Sequence, residues 1–114
     1  MHELSVCGAI YDIVDRAAAG RPVSVIHLKV GRLRQVVPDT LTFCWTVVCD
    51  DTPLAGSQLH VDYRPVTLHC TVCAEETTVD RELLLLCRSC GTDRISVTGG
   101  EELLVTALDL VEAS

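Results

Sequence analysis

The sequence predicts an α+β fold, in which a small mixed sheet packs with two helices and a four-cysteine zinc ribbon is inserted into the chain. Two observations support this prediction. Four of the seven cysteines form a paired motif in mid-chain. The flanking segments carry apolar residues at helical spacing in some places and in alternation in others. A chain of 114 residues has room for about one such domain and a small module.

Two segments have the apolar spacing of helices. From Leu4 to about Ala19, apolar residues recur every three or four positions, and Gly20 ends the run. Pro38 and Asp39 are typical of a helix start and lead into TLTFCWTVVC, which stops before the loop DDTPLAG. We therefore expect two helices, one at the beginning of the chain and one near its middle.

Three segments are predicted to be strands. VSVIHLKVG and QLHVDY alternate apolar and polar residues, and EELLVTALDLVE forms a last strand after a turn at Gly99 and Gly100. The paired cysteines lie between the second and third of these strands. We therefore expect residues 1–66 and 98–114 to form one α+β domain, with residues 67–97 inserted between two strands of its sheet.

The charge balance restricts the classes of partner. With 9 basic and 16 acidic residues the formal charge is −7, which opposes binding to nucleic acid or to an anionic membrane. No apolar run approaches the roughly 18 residues of a membrane span, and the first residues lack the pattern of a secretory signal. We expect a cytoplasmic protein with no nucleic-acid or membrane partner. In that compartment cysteines bind metal or remain thiols.

The paired cysteines have the spacing of a zinc site. CTVC and CRSC give C-x2-C-x13-C-x2-C, in which the ligands are Cys70, Cys73, Cys87 and Cys90. Each two-residue spacing lets one tight turn present both sulfurs to one ion, and four thiolates in a tetrahedron favour Zn(II) with a structural role. A pair of redox-active C-x-x-C motifs is the alternative, but neither motif lies in a βαβ pattern.

The remaining cysteines and histidines give no catalytic pattern. Cys7, Cys44 and Cys49 lie within apolar, helix-like segments and are interpreted as small core residues. His27 and His60 are out of phase with the apolar residues of their strands, so we expect them to face solvent or the other side of the sheet. His69 adjoins Cys70, and we expect a position in solvent or beside the zinc ligands. We expect no enzymatic activity.

The first three residues, Met-His-Glu, contain the groups of a nitrogen-rich chelate. The α-amine of Met1, the deprotonated backbone amide of His2 and its imidazole can reach one ion, and the Glu3 carboxylate or a further amide can complete four-coordinate binding. Such square-planar sites suit Ni(II) or Cu(II). From these residues alone, a solvated histidine before a helix is the favoured interpretation, and it is the resemblance described next that favours the chelate.

Four segments together resemble the HypA family of hydrogenase-maturation nickel metallochaperones. They are MHELSVCGAIYDIV, VGRLRQVVPDTLTFCW, the paired C-x2-C motifs and GGEELLVTALDLVE, which span almost the whole chain in the family's order. The resemblance implies that Met1, His2 and Glu3 bind nickel, with His2 essential, and that the four ribbon cysteines bind zinc. Nickel would then be transient cargo and zinc structural.

The resemblance also implies partners. Family members work with a HypB-type GTPase and deliver nickel to the large subunit of NiFe-hydrogenase, and some also serve urease with its accessory proteins. Whether the chain is a monomer or a homodimer stays open. One departure from the family is LLLL, Leu83 to Leu86, which we interpret as ribbon core, with a partner contact or packing against the nickel domain as alternatives.

A second class of function is a zinc-ribbon adaptor of a transcription or translation assembly, in which His2 has no role. The acidic balance and the absence of a basic aromatic face oppose it.

Overall fold

A computed structural model describes residues 2–111, in which two helices and six strands are present. In chain order they are α1 Glu3–Ala18, β1 Val23–Gly31, α2 Pro38–Cys49, β2 Gln58–Arg64, β3 Thr67–Cys70, β4 Glu76–Thr78, β5 Ile95–Gly99 and β6 Leu103–Leu110. One 3-10 turn, Arg32–Arg34, follows β1. Both predicted helices and all three predicted strands are present.

The strands form two sheets of three. One has the order β2-β1-β6 and the other the order β4-β3-β5. The cysteine-rich segment follows β2 and precedes β6, and both of these strands belong to the first sheet. The α+β class with two helices is confirmed, and the second sheet is an addition that the sequence did not reveal.

The chain divides into two compact units. The first consists of Met1–Lys29, Val36–Asp62 and Leu103–Ser114, and the second of Val30–Gln35 and Tyr63–Glu102. The second unit is wider than the range 67–97 expected for the ribbon, because the end of β1, the 3-10 turn and the end of β2 group with it.

The core of the first unit lies between its helices and its sheet. Buried residues of α1 follow one face at helical spacing, and they are Glu3, Cys7, Ile10, Val14 and Ala18. In α2 the buried residues are Leu41, Trp45 and Cys49, four positions apart. The indole of Trp45 is fully buried, its ring centroid lies 6.3 Å from that of Tyr11, and its Nε1–H donates to Ser57 Oγ at 3.0 Å.

The second unit has a small core of its own. Val66, Leu68 and Val79 are buried there, and Leu33, Ile95 and Val97 pack against them. β3 is the central strand and pairs antiparallel with both neighbours, so that Leu68 lies opposite Thr77 and Val97. This core is modest, as expected for a module that a metal ion stabilises.

The prediction that Leu83 to Leu86 form ribbon core is wrong. Their exposed fractions are 39, 58, 37 and 42%, and they lie in a segment without regular structure. The core positions are instead filled by three residues on β3 and its surroundings, Val66, Leu68 and Val79. No helix among residues 2–111 is long and apolar enough to cross a membrane.

Candidate metal centre

The second unit brings the four predicted zinc ligands together. The sulfur atoms of Cys70, Cys73, Cys87 and Cys90 all lie within 4.8 Å of one another. Among residues 2–111 they are the one group of three or more side chains that could together hold a metal ion. Cys70 Sγ lies 3.7 Å from Cys90 Sγ, and Cys73 Sγ lies 3.6 Å from Cys87 Sγ. A tetrahedron with zinc–sulfur bonds of about 2.3 Å requires sulfur–sulfur distances of about 3.8 Å. The four thiols therefore fit a structural Zn(II) ion.

Two turns with the same hydrogen-bond pattern present the sulfurs. In the first turn, Cys70 N–H donates to the carbonyl of Glu75 at 2.9 Å, and Ala74 N–H donates to the carbonyl of Cys70 at 3.1 Å. In the second, Cys87 N–H donates to Thr92 and Gly91 N–H donates to Cys87, both at 2.9 Å. The two turns are thus duplicates at the level of the backbone, which the spacing alone did not show.

Each turn ends in a residue with positive φ, directly after its second cysteine. Gly91 has φ of +74° in the second turn, whereas the first turn places Ala74 there with φ of +64°. Only glycine adopts this conformation without cost. The first turn therefore carries strain that the second lacks.

Backbone N–H groups surround the first sulfur of each turn. The N–H groups of Cys73 and Val72 donate to Cys70 Sγ at 3.3 and 3.4 Å, and these bonds lower the pKa of that thiol. The backbone N–H groups of Cys90 and Ser89 lower the pKa of Cys87 to about 6. Hydrogen bonds to sulfur favour the thiolate, which is the form that binds metal.

His69 is not among these ligands. Its Nδ1 lies 2.6 Å from Glu76 Oε1 across the β3–β4 pair, and its side chain is 42% exposed. This exposure agrees with the first of the two predicted alternatives, a position in solvent. Of the remaining cysteines, Cys7 and Cys49 are buried as predicted, and Cys44 is partly buried.

Of the predicted nickel ligands, His2 and Glu3 lie at the start of α1, in the first unit. Met1 is outside the described residues. His2 is exposed and is the residue that precedes the helix, and its carbonyl accepts the first helical hydrogen bond, from Val6 N–H at 2.8 Å. Glu3 is buried, with 6% exposed, and its Oε2 lies 3.5 Å from the backbone nitrogen of Val37. The burial of Glu3 had no signal in the sequence, since it depends on where α2 begins.

The fold and the four-thiol cluster define a small α+β protein with a zinc-ribbon module. The family model described as "Hydrogenase/urease nickel incorporation, metallochaperone, hypA" matches residues 1–110. The chain belongs to this HypA family, and its function is that of a nickel metallochaperone in hydrogenase maturation. The resemblance in the sequence is thereby confirmed, and the adaptor alternative is not favoured.

Curated relatives agree over nearly the full length. A protein named "Hydrogenase maturation factor HypA" from Streptomyces avermitilis is 38% identical over 112 residues, which cover 95% of this chain and 86% of the relative. A protein of the same name from Geobacter metallireducens is 36% identical over 110 residues, which cover 96% of this chain and 99% of the relative.

Solved structures share the fold. One titled "Solution structure of the Ni metallochaperone HypA from Helicobacter pylori" superposes with a TM-score of 0.69 at 15% identity, covering 99% of this chain and 100% of that one. Another, titled "Solution structure of HypA protein", gives 0.68 at 16% identity, with 97% of each chain covered.

Proposed function

We propose that the chain carries one Ni(II) ion as cargo at its amino terminus, bound by the Met1 amine, the His2 amide nitrogen and the His2 imidazole. The observation that supports this most directly is the family match over residues 1–110, which includes the Met-His-Glu start. Glu3 is either a further ligand or the residue that fixes the geometry. Its contact with Val37 favours the second role.

The geometry of α1 is compatible with amide coordination. The first helical hydrogen bond of α1 is donated by Val6, and the preceding N–H groups of a helix have no acceptor within it. A metal ion can therefore replace the amide proton of His2 or Glu3 without breaking a hydrogen bond within the helix. A deprotonated amide is anionic, so the positive end of the helix dipole stabilises it.

In this proposal the zinc ion has a structural role. Cys70, Cys73, Cys87 and Cys90 supply all four ligands, so no coordination position is left for a substrate. The bound zinc would cross-link the two turns and contribute on the order of 10 kcal/mol to the folding of the second unit. The first unit is then the nickel-binding unit and the second the zinc-binding unit.

The partners follow from the same assignment. We expect a HypB-type GTPase and the large subunit of NiFe-hydrogenase, with urease accessory proteins where urease is also served. The exposed Leu83 to Leu86 segment is a candidate contact, since a contiguous apolar surface is costly to leave in water. The chain would act in the cytoplasm and supply metal rather than catalyse a reaction.

The test is a calorimetric titration of zinc-loaded, untagged protein with Ni(II). His2→Ala and a protein with one extra residue before Met1 should both lose the tight site, although the second keeps every side chain. His69→Gln, which changes another exposed histidine, should bind nickel normally. Binding should also weaken as the pH falls, because the amine, amide and imidazole must all lose protons.

Two results would contradict the proposal. Tight binding by the extended protein would show that the amine is not a ligand. X-ray absorption of the zinc edge with nitrogen or oxygen in place of sulfur at about 2.3 Å would contradict the all-thiolate site.

A further inference from the structure

Two histidines and a carboxylate lie across the three strands of the first sheet. His60 is on β2, His27 is on the central strand β1, and Asp109 is on β6. The ring centroids of His27 and His60 are 5.4 Å apart, with the planes tilted by 58°. His27 Nε2 lies 2.9 Å from Asp109 Oδ2. All three residues belong to the first compact unit.

The carboxylate determines which nitrogen of His27 can bind a metal. An ionised carboxylate only accepts hydrogen bonds, so the proton of neutral His27 lies on Nε2 and is donated to Asp109. Nδ1 then keeps its lone pair. This is the arrangement of metal-binding histidines, in which the second ring nitrogen is held by a carboxylate that fixes the tautomer and raises the basicity of the ligand.

The cluster is accessible and is carried on regular structure. The side chain of His27 is 34% exposed and that of Asp109 is 56% exposed, and His60 is exposed as well. Alternation along a strand places Lys29 on the His27 side of β1 and Asp62 on the His60 side of β2. Neighbouring strands hold the two rings in place without a loop, which lowers the entropy lost on binding.

We propose that His27 and His60 form a second metal site, in which their imidazoles bind one divalent transition-metal ion and Asp109 positions His27. Imidazole nitrogen suits Ni(II), Zn(II) and Cu(II). With two protein ligands and water in the remaining positions, the ion is held more weakly than by four ligands and exchanges readily. The site shares no residue with the four-thiol cluster or the amino terminus, so it does not depend on the proposed nickel ligands.

The competing explanation is that the two rings only pack against each other. Aromatic rings at such distances attract one another without any metal. The two explanations differ in a measurable respect: a metal site needs both imidazoles and saturates at one ion, whereas a packed pair has no saturable response to metal.

The experiment uses full-length, zinc-loaded His2→Ala protein, in which the proposed amino-terminal site is disabled, titrated with Ni(II) alone. We expect one Ni(II) ion to bind in addition to the zinc. Because Ni(II) is paramagnetic here, the ring NMR signals of His27 and His60 should broaden before those of other residues. His60→Gln and His27→Gln should each abolish this event. His69→Gln is the matched control, because His69 is also exposed and paired with a carboxylate, and it should leave the event unchanged.

Asp109→Asn tests the positioning role. This substitution should weaken nickel binding at the His27–His60 site about tenfold, as expected when a metal-binding histidine loses its carboxylate partner. It should also change the ring ¹⁵N shifts of His27 in the protein without nickel. The proposal is wrong if the zinc-loaded His2→Ala protein binds no nickel. It is also wrong if His60→Gln leaves the binding intact, or if binding is accompanied by thiolate-to-nickel absorption.

Discussion

The carboxylate of Glu3, at the first turn of α1, lies 3.5 Å from the backbone nitrogen of Val37, the residue that precedes α2. Glu3 is 6% exposed, so this contact is made away from water. The third residue of the chain is thereby fixed to the start of the second helix, and both helix starts lie in the first unit. A carboxylate near a helix start also complements the helix dipole.

Glu3→Ala should therefore destabilise the protein as well as disturb nickel binding. Removing the acceptor leaves a part-buried N–H without its partner, at a cost of about 1–2 kcal/mol in the free energy of unfolding. Glu3→Gln keeps an acceptor oxygen and should cost less. Urea denaturation measures both. Leu4→Ala is the control, since Leu4 is 53% exposed. Equal stabilities of Glu3→Ala and Leu4→Ala would rule out a structural role for the carboxylate.

The two zinc turns should respond in opposite directions to substitution at equivalent positions. Ala74→Gly removes an alanine in the left-handed conformation, so the free energy of unfolding of the second unit should rise by about 1 kcal/mol. Gly91→Ala introduces such an alanine, so the same free energy should fall by about 1 kcal/mol. A β-carbon at Gly91 meets no atom within 4 Å, so the loss is conformational and not steric. The rate of zinc loss to a chelator should fall in Ala74→Gly and rise in Gly91→Ala. Changes of the same sign would contradict the equivalence.

Ser57 should be needed to keep the indole of Trp45 buried. Its hydroxyl accepts from Trp45 Nε1 at 3.0 Å and donates to the carbonyl of Leu54 at 2.6 Å. Ser57→Ala leaves the indole N–H unsatisfied, at a cost of about 1–3 kcal/mol. Ser24→Ala is the comparison, because that hydroxyl makes an exposed bond to Asp109 and should contribute little. The two variants are compared with the parent by thermal unfolding. If Ser57→Ala unfolds at the same temperature as the parent, the prediction is wrong.

Cys7 should make stability fall at alkaline pH. Burial, followed by the proximity of Cys44, Cys49 and Glu3, raises the pKa of its thiol from 9.0 to about 12. The folded state therefore retains a proton that the unfolded chain releases above its own pKa of 9.0, so stability is lost as the pH rises from about 9 towards 12. Cys7→Ala should be less stable at neutral pH yet show a flatter decline. A parallel decline in both proteins would exclude Cys7 as the cause.

The exposed leucines and the buried one should differ sharply in their effect on stability. Leu84 is 58% exposed, and Leu84→Ser should change the free energy of unfolding by less than about 0.5 kcal/mol. Leu68 is fully buried in the ribbon core, and Leu68→Ala should cost about 2–5 kcal/mol. If Leu84 contacts a partner, Leu84→Ser should reduce recovery of the GTPase or hydrogenase subunit in a pull-down while the zinc content stays constant. A destabilised Leu84→Ser would restore the core interpretation.

The sequence predicts the helices and the long strands well because their apolar spacing is regular and Pro38 and Gly20 mark the ends. The clustering of the four ribbon cysteines is equally predictable, since two residues between cysteines leave few geometries. The sequence does not predict the short strands β3, β4 and β5, because three to five residues carry too little alternation. Composition predicts that the leucine run is buried, but Leu83 to Leu86 are exposed. In a small module that a metal ion stabilises, hydrophobicity alone does not determine which residues are buried.

The location of Trp45 gives the protein two separate optical reporters. It is the single tryptophan of the chain and lies in the first unit, whereas all four metal-binding thiols lie in the second. Indole emission therefore follows the melting of one unit, and thiolate-to-metal absorption of a cobalt-substituted ribbon follows the other. Two coincident melting curves would mean that the units unfold as one cooperative system, and two separated curves would assign each unit its own stability.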